Sequence, residues 1–227
     1  MQEETRTLAG LATTIVSAAS PPELTVVLLH GYDMSPGDLS PFAHSITVPA
    51  QFLLPRGPLT SHNGNGAWWG VDVEARAQAQ SIGPRDLADE YPTGVDSART
   101  QLTELIEMAR REYATPKLVV GGFSQGGMLA CDAVLHGSIR ADGLVMLSAS
   151  RIRRKAWERE GERLRGLPVF VSHGRRDADL AFAAGEGLHD FVRAAGARTT
   201  WVPFDGGHEI PLIVWRNLRI FLNALLN

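Results

Sequence analysis

At 227 residues, 44% of them hydrophobic, the chain can bury one substantial core and reads as a single domain over residues 1–227. A net charge of -3 gives no basic surplus to attract nucleic acid, and no apolar stretch approaches the length needed for stable membrane insertion. The single cysteine, Cys131, cannot form an internal disulfide and reads as a small buried hydrophobe. Met1, Gln2, Glu3 and Glu4 lack a basic segment leading into an apolar one, so a cytoplasmic location is the expectation.

In chain order, residues 5–17 are β-rich and predict a strand or hairpin at a sheet edge. Residues 25–30 form a continuous apolar run ending in His30-Gly31, the pattern of a fully buried central strand, and 51–55 predict a short strand. The loop 61–70 runs through Gly and Asn into the paired Trp68 and Trp69, and 71–91 has only weak periodicity. Residues 93–113 predict an amphipathic helix with Val95, Ala98, Leu102, Leu105, Ile106 and Ala109 inward, and with Thr93 as N-cap three residues before Asp96. Strands are expected at 117–123, 143–148, 168–173 and 198–203, with helices at 125–136, 179–195 and 211–225. Residues 151–165, with seven basic and three acidic side chains, read as a solvated helix or loop, or else as a mobile basic flap over the site. Strands alternating with helices predict an α/β fold with a mostly parallel sheet covered on both faces.

Gly122, Phe123, Ser124, Gln125 and Gly126 stand between the predicted strand 117–123 and the helix that follows, as a nucleophile elbow requires. A serine hydroxyl is a poor nucleophile near neutral pH and needs a general base that is itself oriented by a carboxylate. Asp177 follows a buried strand, and His208 sits in a Gly-rich loop between the last strand and the last helix, so the order is serine, acid, histidine. Asp179 is the alternative acid, more naturally a cap for the next helix, and Asp205 reads as a turn former. His30 and His173 each precede a glycine at a strand end, where a structural bond to loop backbone is expected; His44, His62, His136 and His189 read as surface or boundary residues. No pair has metal-ligand spacing, so no metal is expected. The oxyanion donors should be the amides of Gln125, which opens a helix, and of Tyr32, which Gly31 would turn inward.

These motifs resemble the carboxylesterase/phospholipase family that includes acyl-protein thioesterases and small bacterial esterases. The matching stretches are residues 29–32 with 38–42, 54–58 with 67–69, 121–127, 173–177 and 206–208. The resemblance implies an α/β-hydrolase fold with a minimal lid, no cofactor, and hydrolysis of small-molecule carboxylic esters or thioesters. By position it implies Ser124, Asp177 and His208 as triad, Tyr32 and Gln125 as oxyanion hole, and the tryptophan pair as a wall of the acyl pocket; it also allows a homodimer. Leu59, Trp68, Trp69, Leu180 and Ile210 are the expected pocket residues, suited to an apolar acyl chain of short to medium length. The chain departs from the family at Asp33, where glycine is common, at Leu180-Ala181 in place of Val-Pro, and in the basic segment 151–165. The alternatives are a phospholipase or lysophospholipase acting on lipid, and a non-catalytic binding protein on the same scaffold.

Overall fold

The computed structural model describes residues 1–18, 21–113 and 116–226. Its N-terminal hairpin, β1 (Gln2–Leu8) and β2 (Leu11–Ser17), turns through Ala9 and Gly10, both at positive φ. β3 (Leu24–Leu29) is buried at every position, and α1 (Ser40–Ser45) leads to β4 (Ala50–Pro55). The small hairpin β5 (Leu59–Thr60) and β6 (Gly66–Ala67) precedes α2 (Val73–Ile82) and α3 (Val95–Glu112). Then come β7 (Lys117–Phe123), α4 (Gln125–His136), β8 (Gly143–Leu147) and α5 (Arg154–Glu160). β9 (Pro168–Gly174), α6 (Phe182–Ala194), β10 (Arg198–Phe204) and α7 (Leu212–Leu226) complete the chain.

The main sheet has eight strands in the order β1-β2-β4-β3-β7-β8-β9-β10. Only β1–β2 and β2–β4 pair antiparallel; every later pairing is parallel. Parallel strands joined through helices must be covered on both faces, and successive residues of β3 show it. Val27 and Leu29 pack with α3, α4 and α6, whereas Val26 and Leu28 pack with α1 and α7. α4 is buried along almost its whole length, which is why its residues are apolar or small all round. Among them Cys131 is wholly enclosed, and burial pushes its thiol well above the ordinary value.

Three expectations need correction. The N-cap of α3 is Gly94 at φ 97, not Thr93, and Asp96 instead engages Tyr91 and Arg99. α6 begins at Phe182, so Asp179 lies before it and caps nothing. α2 was invisible as a periodic pattern because it contributes no buried residue.

Residues 151–165 are neither a solvated segment nor a free flap. Ile152, Trp157 and Leu164 are buried, and Trp157 Nε1 donates to Asp132 Oδ1 at 2.8 Å. The same carboxylate accepts from Arg153 Nη1 at 3.2 Å and from Arg99 Nη1 at 2.5 Å. Asp132 thus ties α3, α4 and α5 together from inside. Replacing Asp132 with alanine leaves Arg99 Nη1 and the Trp157 indole without an acceptor, with only Asp96 still paired to Arg99, and should cost about 3–5 kcal/mol. Urea denaturation of Asp132→Ala beside the wild type measures that loss.

Candidate active site

Ser124 occupies the turn between β7 and α4 at φ 50, ψ -115, a conformation that L residues rarely hold. Its amide donates to Leu147 O at 2.8 Å and its carbonyl accepts from Met128 N at 3.1 Å, so both sides of the strained residue are anchored. A Cβ on Gly122 would stand 2.5 Å from Gly126 C and from Leu29 O, and one on Gly126 would strike the Leu29 and His30 carbonyls. Glycine at both positions lets the helix start press against β3. The Ser124 hydroxyl makes no hydrogen bond to a protein group among the described residues, and it lines a cavity of about 240 Å³.

His208 lies beside this turn, its ring centroid 4.8 Å from that of Phe123. Its Nδ1 stands 2.7 Å from Asp177 Oδ2. A carboxylate only accepts, so Nδ1 carries the hydrogen and Nε2 keeps its lone pair. Nε2 is 3.9 Å from Asp179 Oδ2, a carboxylate that lines the cavity of Ser124; His208 itself does not line that cavity, and no hydrogen bond joins it to Ser124 among the described residues.

Asp177 is held by four donors. Its Oδ1 accepts from the Asp179 and Leu180 amides at 2.8 and 2.9 Å, and its Oδ2 faces His208 and, at 3.3 Å, His173 Nε2. His173 is fully buried, and its Nε2 also donates to Leu180 O at 3.0 Å. Burial alone would raise the Asp177 pKa. The His173 and His208 hydrogen bonds, the His208 charge and the Leu180 amide outweigh it and hold the carboxyl below the usual carboxylate range.

Asp179, two residues on, plays a different part. Its Oδ1 accepts from Gln80 Nε2 at 2.8 Å and from Arg85 Nε and Nη2 at 3.2 and 2.5 Å; its Oδ2 accepts from Arg76 Nη2 at 2.5 Å. Burial opposes its ionisation, but Arg85 and Arg76 keep its pKa below the ordinary value. Asp205, by contrast, is exposed and pairs with Arg176 at 3.4 Å.

Neither the Tyr32 nor the Gln125 amide donates to a protein acceptor among the described residues. The loop carrying Tyr32 is fixed by two backbone bonds, Asp33 N to Gly66 O at 2.9 Å and Gly66 N to Met34 O at 2.8 Å. Asp33 takes φ 61 where the family commonly has glycine, and its carboxylate accepts from Ser61 Oγ and Asn63 Nδ2, each at 2.5 Å. Aspartate tolerates the left-handed region better than most residues, and these bonds stabilise it there.

Of the five expected pocket residues, Trp69 and Leu180 line the cavity. Trp68 does not; it is enclosed, with Nε1 donating to His30 O at 2.9 Å. Leu59 does not either, being 45% exposed in β5, and Ile210 packs instead on the α1–α7 side of the sheet. Arg76, Arg85, Ala75 and Met128 line the cavity without having been expected there. The Gln125 side chain was likewise missed: Oε1 accepts from Trp68 N at 2.8 Å and Nε2 donates to Trp69 O at 3.0 Å. Among the described residues no group of three or more His, Cys, Asp or Glu stands together as metal ligands would.

A sequence model described as phospholipase/carboxylesterase matches residues 11–226, nearly the whole chain. The chain belongs to the phospholipase/carboxylesterase family. Its relatives include acyl-protein thioesterase 1 of Neurospora crassa, 22% identical over 78% of this chain and 74% of that protein. Acyl-protein thioesterase 1 of Cryptococcus neoformans is 26% identical over 74% and 72%. The crystal structure of esterase PE8 superposes with a TM-score of 0.79 at 22% identity, over 95% of this chain and 99% of that one. Zea mays acyl-protein thioesterase 2 gives 0.77 at 20% identity, with the same coverage. The fold is that of an α/β-hydrolase, and the chain is a hydrolase of the carboxylesterase/thioesterase type.

In this member of the phospholipase/carboxylesterase family, His30 fixes the loop after β3 that carries Tyr32. Its Nδ1 donates to Gly31 O at 2.7 Å, and its Nε2 accepts from Gly57 N at 2.8 Å. Burial lowers its pKa from 6.5 to about 4, so the folded protein holds it neutral. The unfolded chain protonates it below about pH 6.5. Its contribution is therefore complete above pH 6.5 and is lost as pH falls toward 4, about 3 kcal/mol in all. Asp177, whose folded pKa is depressed, adds its own loss only below the ordinary carboxylate range. Melting temperatures measured from pH 8 to pH 4 should start falling near 6.5, well before carboxylates protonate.

Proposed function

We propose that this chain is a serine esterase or thioesterase acting through an acyl-enzyme on Ser124, with His208 as general base and Asp177 as its orienting carboxylate. The observation that carries the reading is the 2.7 Å bond from His208 Nδ1 to Asp177, on a ring that packs against Phe123, the residue before the backbone-strained Ser124. Catalytic hydrogen bonds often tighten only when substrate arrives, and the serine–imidazole bond is read in that way.

In the first half-reaction Ser124 Oγ attacks the carbonyl carbon while His208 Nε2 takes the hydroxyl proton. The amides of Tyr32 and Gln125 are the proposed donors to the oxyanion, each worth about 10²–10³ in rate. The carbon–oxygen or carbon–sulfur bond then breaks, and His208 returns its proton to the leaving alkoxide or thiolate. Water attacks the acyl carbon by the same exchange, the acid leaves, and Ser124 recovers its proton. Asp177 keeps its negative charge throughout and stabilises the imidazolium.

Both oxygen and sulfur esters fit this machinery, and the thioester reading comes from the names of the acyl-protein thioesterase relatives. The cavity equals about eight water volumes at about 30 Å³ each, which fits a short to medium acyl group better than a long lipid tail. A binding protein would not need a strained serine beside a histidine and carboxylate in register.

A fluorophosphonate should label the wild type at Ser124 with one-to-one stoichiometry, and mass spectrometry should find no label on Ser124→Ala; a fully labelled alanine variant would end the proposal. Asp177→Asn should lower kcat by about 10⁴, because the amide misorients the imidazole. On 4-nitrophenyl esters of two to sixteen carbons, kcat/KM should peak at short to medium chains, and a maximum at sixteen would favour the lipid-hydrolase alternative.

A further inference from the structure

The cavity that the apolar Trp69, Met128 and Leu180 line is also lined by an ionic group. Arg76 and Arg85 line it, with side chains only 25% and 18% exposed, and a single 9%-exposed carboxylate, Asp179, serves both. Asp179 Oδ1 is already occupied by three N–H contacts, from Gln80 and from Arg85 twice. Two cations against one carboxylate leave an excess positive charge in a partly dehydrated place. Nε and Nη1 of Arg76 and Nη1 of Arg85 have no protein acceptor among the described residues. Asp72 and Glu90 also line the cavity, but both are exposed. Asp72 is committed to the α2 cap through Ala75 N at 2.9 Å, and neither carboxylate pairs with Arg76 or Arg85. Solvent screens exposed charges far more than half-buried ones, so the guanidinium pair sets the local preference.

A neutral hydrocarbon chain placed here would cover these N–H groups without satisfying them, an unfavourable arrangement. A carboxylate would satisfy them, because the guanidinium fork matches its two oxygens. We propose that Arg76 and Arg85 form a carboxylate subsite, so that the preferred substrates are esters or thioesters whose acyl group ends in a carboxylate, half-esters of short dicarboxylic acids. This rests on the acyl-enzyme reading and replaces the purely apolar acyl chain expected from sequence. The reaction is the same hydrolysis, releasing a dicarboxylate and an alcohol or thiol.

The test compares two isosteric pairs: mono-4-nitrophenyl glutarate against 4-nitrophenyl pentanoate, and mono-4-nitrophenyl adipate against 4-nitrophenyl hexanoate, each corrected for self-hydrolysis. In the wild type kcat/KM should favour the carboxylate member of at least one pair by about tenfold or more, and raised salt should erode the ratio. Arg76→Gln and Arg85→Gln should each reduce the ratio several-fold, and Arg76→Lys should restore part of it by restoring charge. A second measurement separates this proposal from the acyl-enzyme reading. Calorimetry on Ser124→Ala should show glutaramate binding at least tenfold more tightly than pentanamide, which has a methyl in place of its terminal carboxylate, with Arg85→Gln removing the difference, whether or not the wild type turns over any ester. Equal or weaker binding of glutaramate, or a kcat/KM preference for the methyl-ended ester in both pairs, overturns the subsite. Absence of fluorophosphonate labelling alongside tight glutaramate binding would instead strike only the acyl-enzyme reading.

Discussion

The start of α4 lies so close to β3 that only glycine fits at 122 and 126, and most of the site follows from that contact. It drives Ser124 into a left-handed backbone conformation, anchored on one side by Leu147 and on the other by the first helical turn. Tyr32, on the loop after β3, and Gln125, at the helix start, both line the cavity of Ser124. The Gln125 side chain reaches the backbone of Trp68 and Trp69, and Trp69 lines the same cavity. One close backbone approach therefore groups the candidate nucleophile, the candidate anion donors and a candidate acyl wall.

Asp177 and Asp179 show how two carboxylates two residues apart acquire separate jobs. Amides and imidazoles surround the first, which suits a group that must stay ionised and hold a ring still. Guanidinium groups surround the second, which links α2 and the segment before α3 to the strand-end loop after β9. Sequence favoured Asp177 as the acid and kept Asp179 as the alternative. The observed difference lies in the donors' origins, since those on Asp177 come from β9, its own loop and the His208 loop, whereas the side-chain donors on Asp179 come from residues 76–85.

The parallel sheet, the tight turn at Ser124 and the meeting of His208 with a carboxylate after β9 were legible because each depends on local patterns: apolar runs, glycines that permit close approach, and a histidine in a Gly-rich loop. What was not legible depends on partners far apart in sequence. α2 buries nothing, so no hydrophobic period announced it, and nothing local marked Arg76 or Arg85 as facing a cavity. Trp68 and Trp69 are indistinguishable as letters, but the bend after β6 leaves Trp68 enclosed on His30 and Trp69 lining the cavity. Residues 151–165 looked basic and solvated because Asp132, the acceptor that ties them down, lies about twenty positions earlier on another helix. Asp33 holds a left-handed backbone by bonds to a hairpin about thirty residues on that no local pattern reveals.

α2 lines the cavity beside Ser124 and yet contributes no buried residue to either hydrophobic core. Arg76 and Gln80 tie it to Asp179, and Arg76 also lies over the Tyr32 ring. Sequence drift in this strip is thus weakly policed by folding, and descendants of the same scaffold can exchange it and acquire new diets while the nucleophile and its neighbours stay untouched.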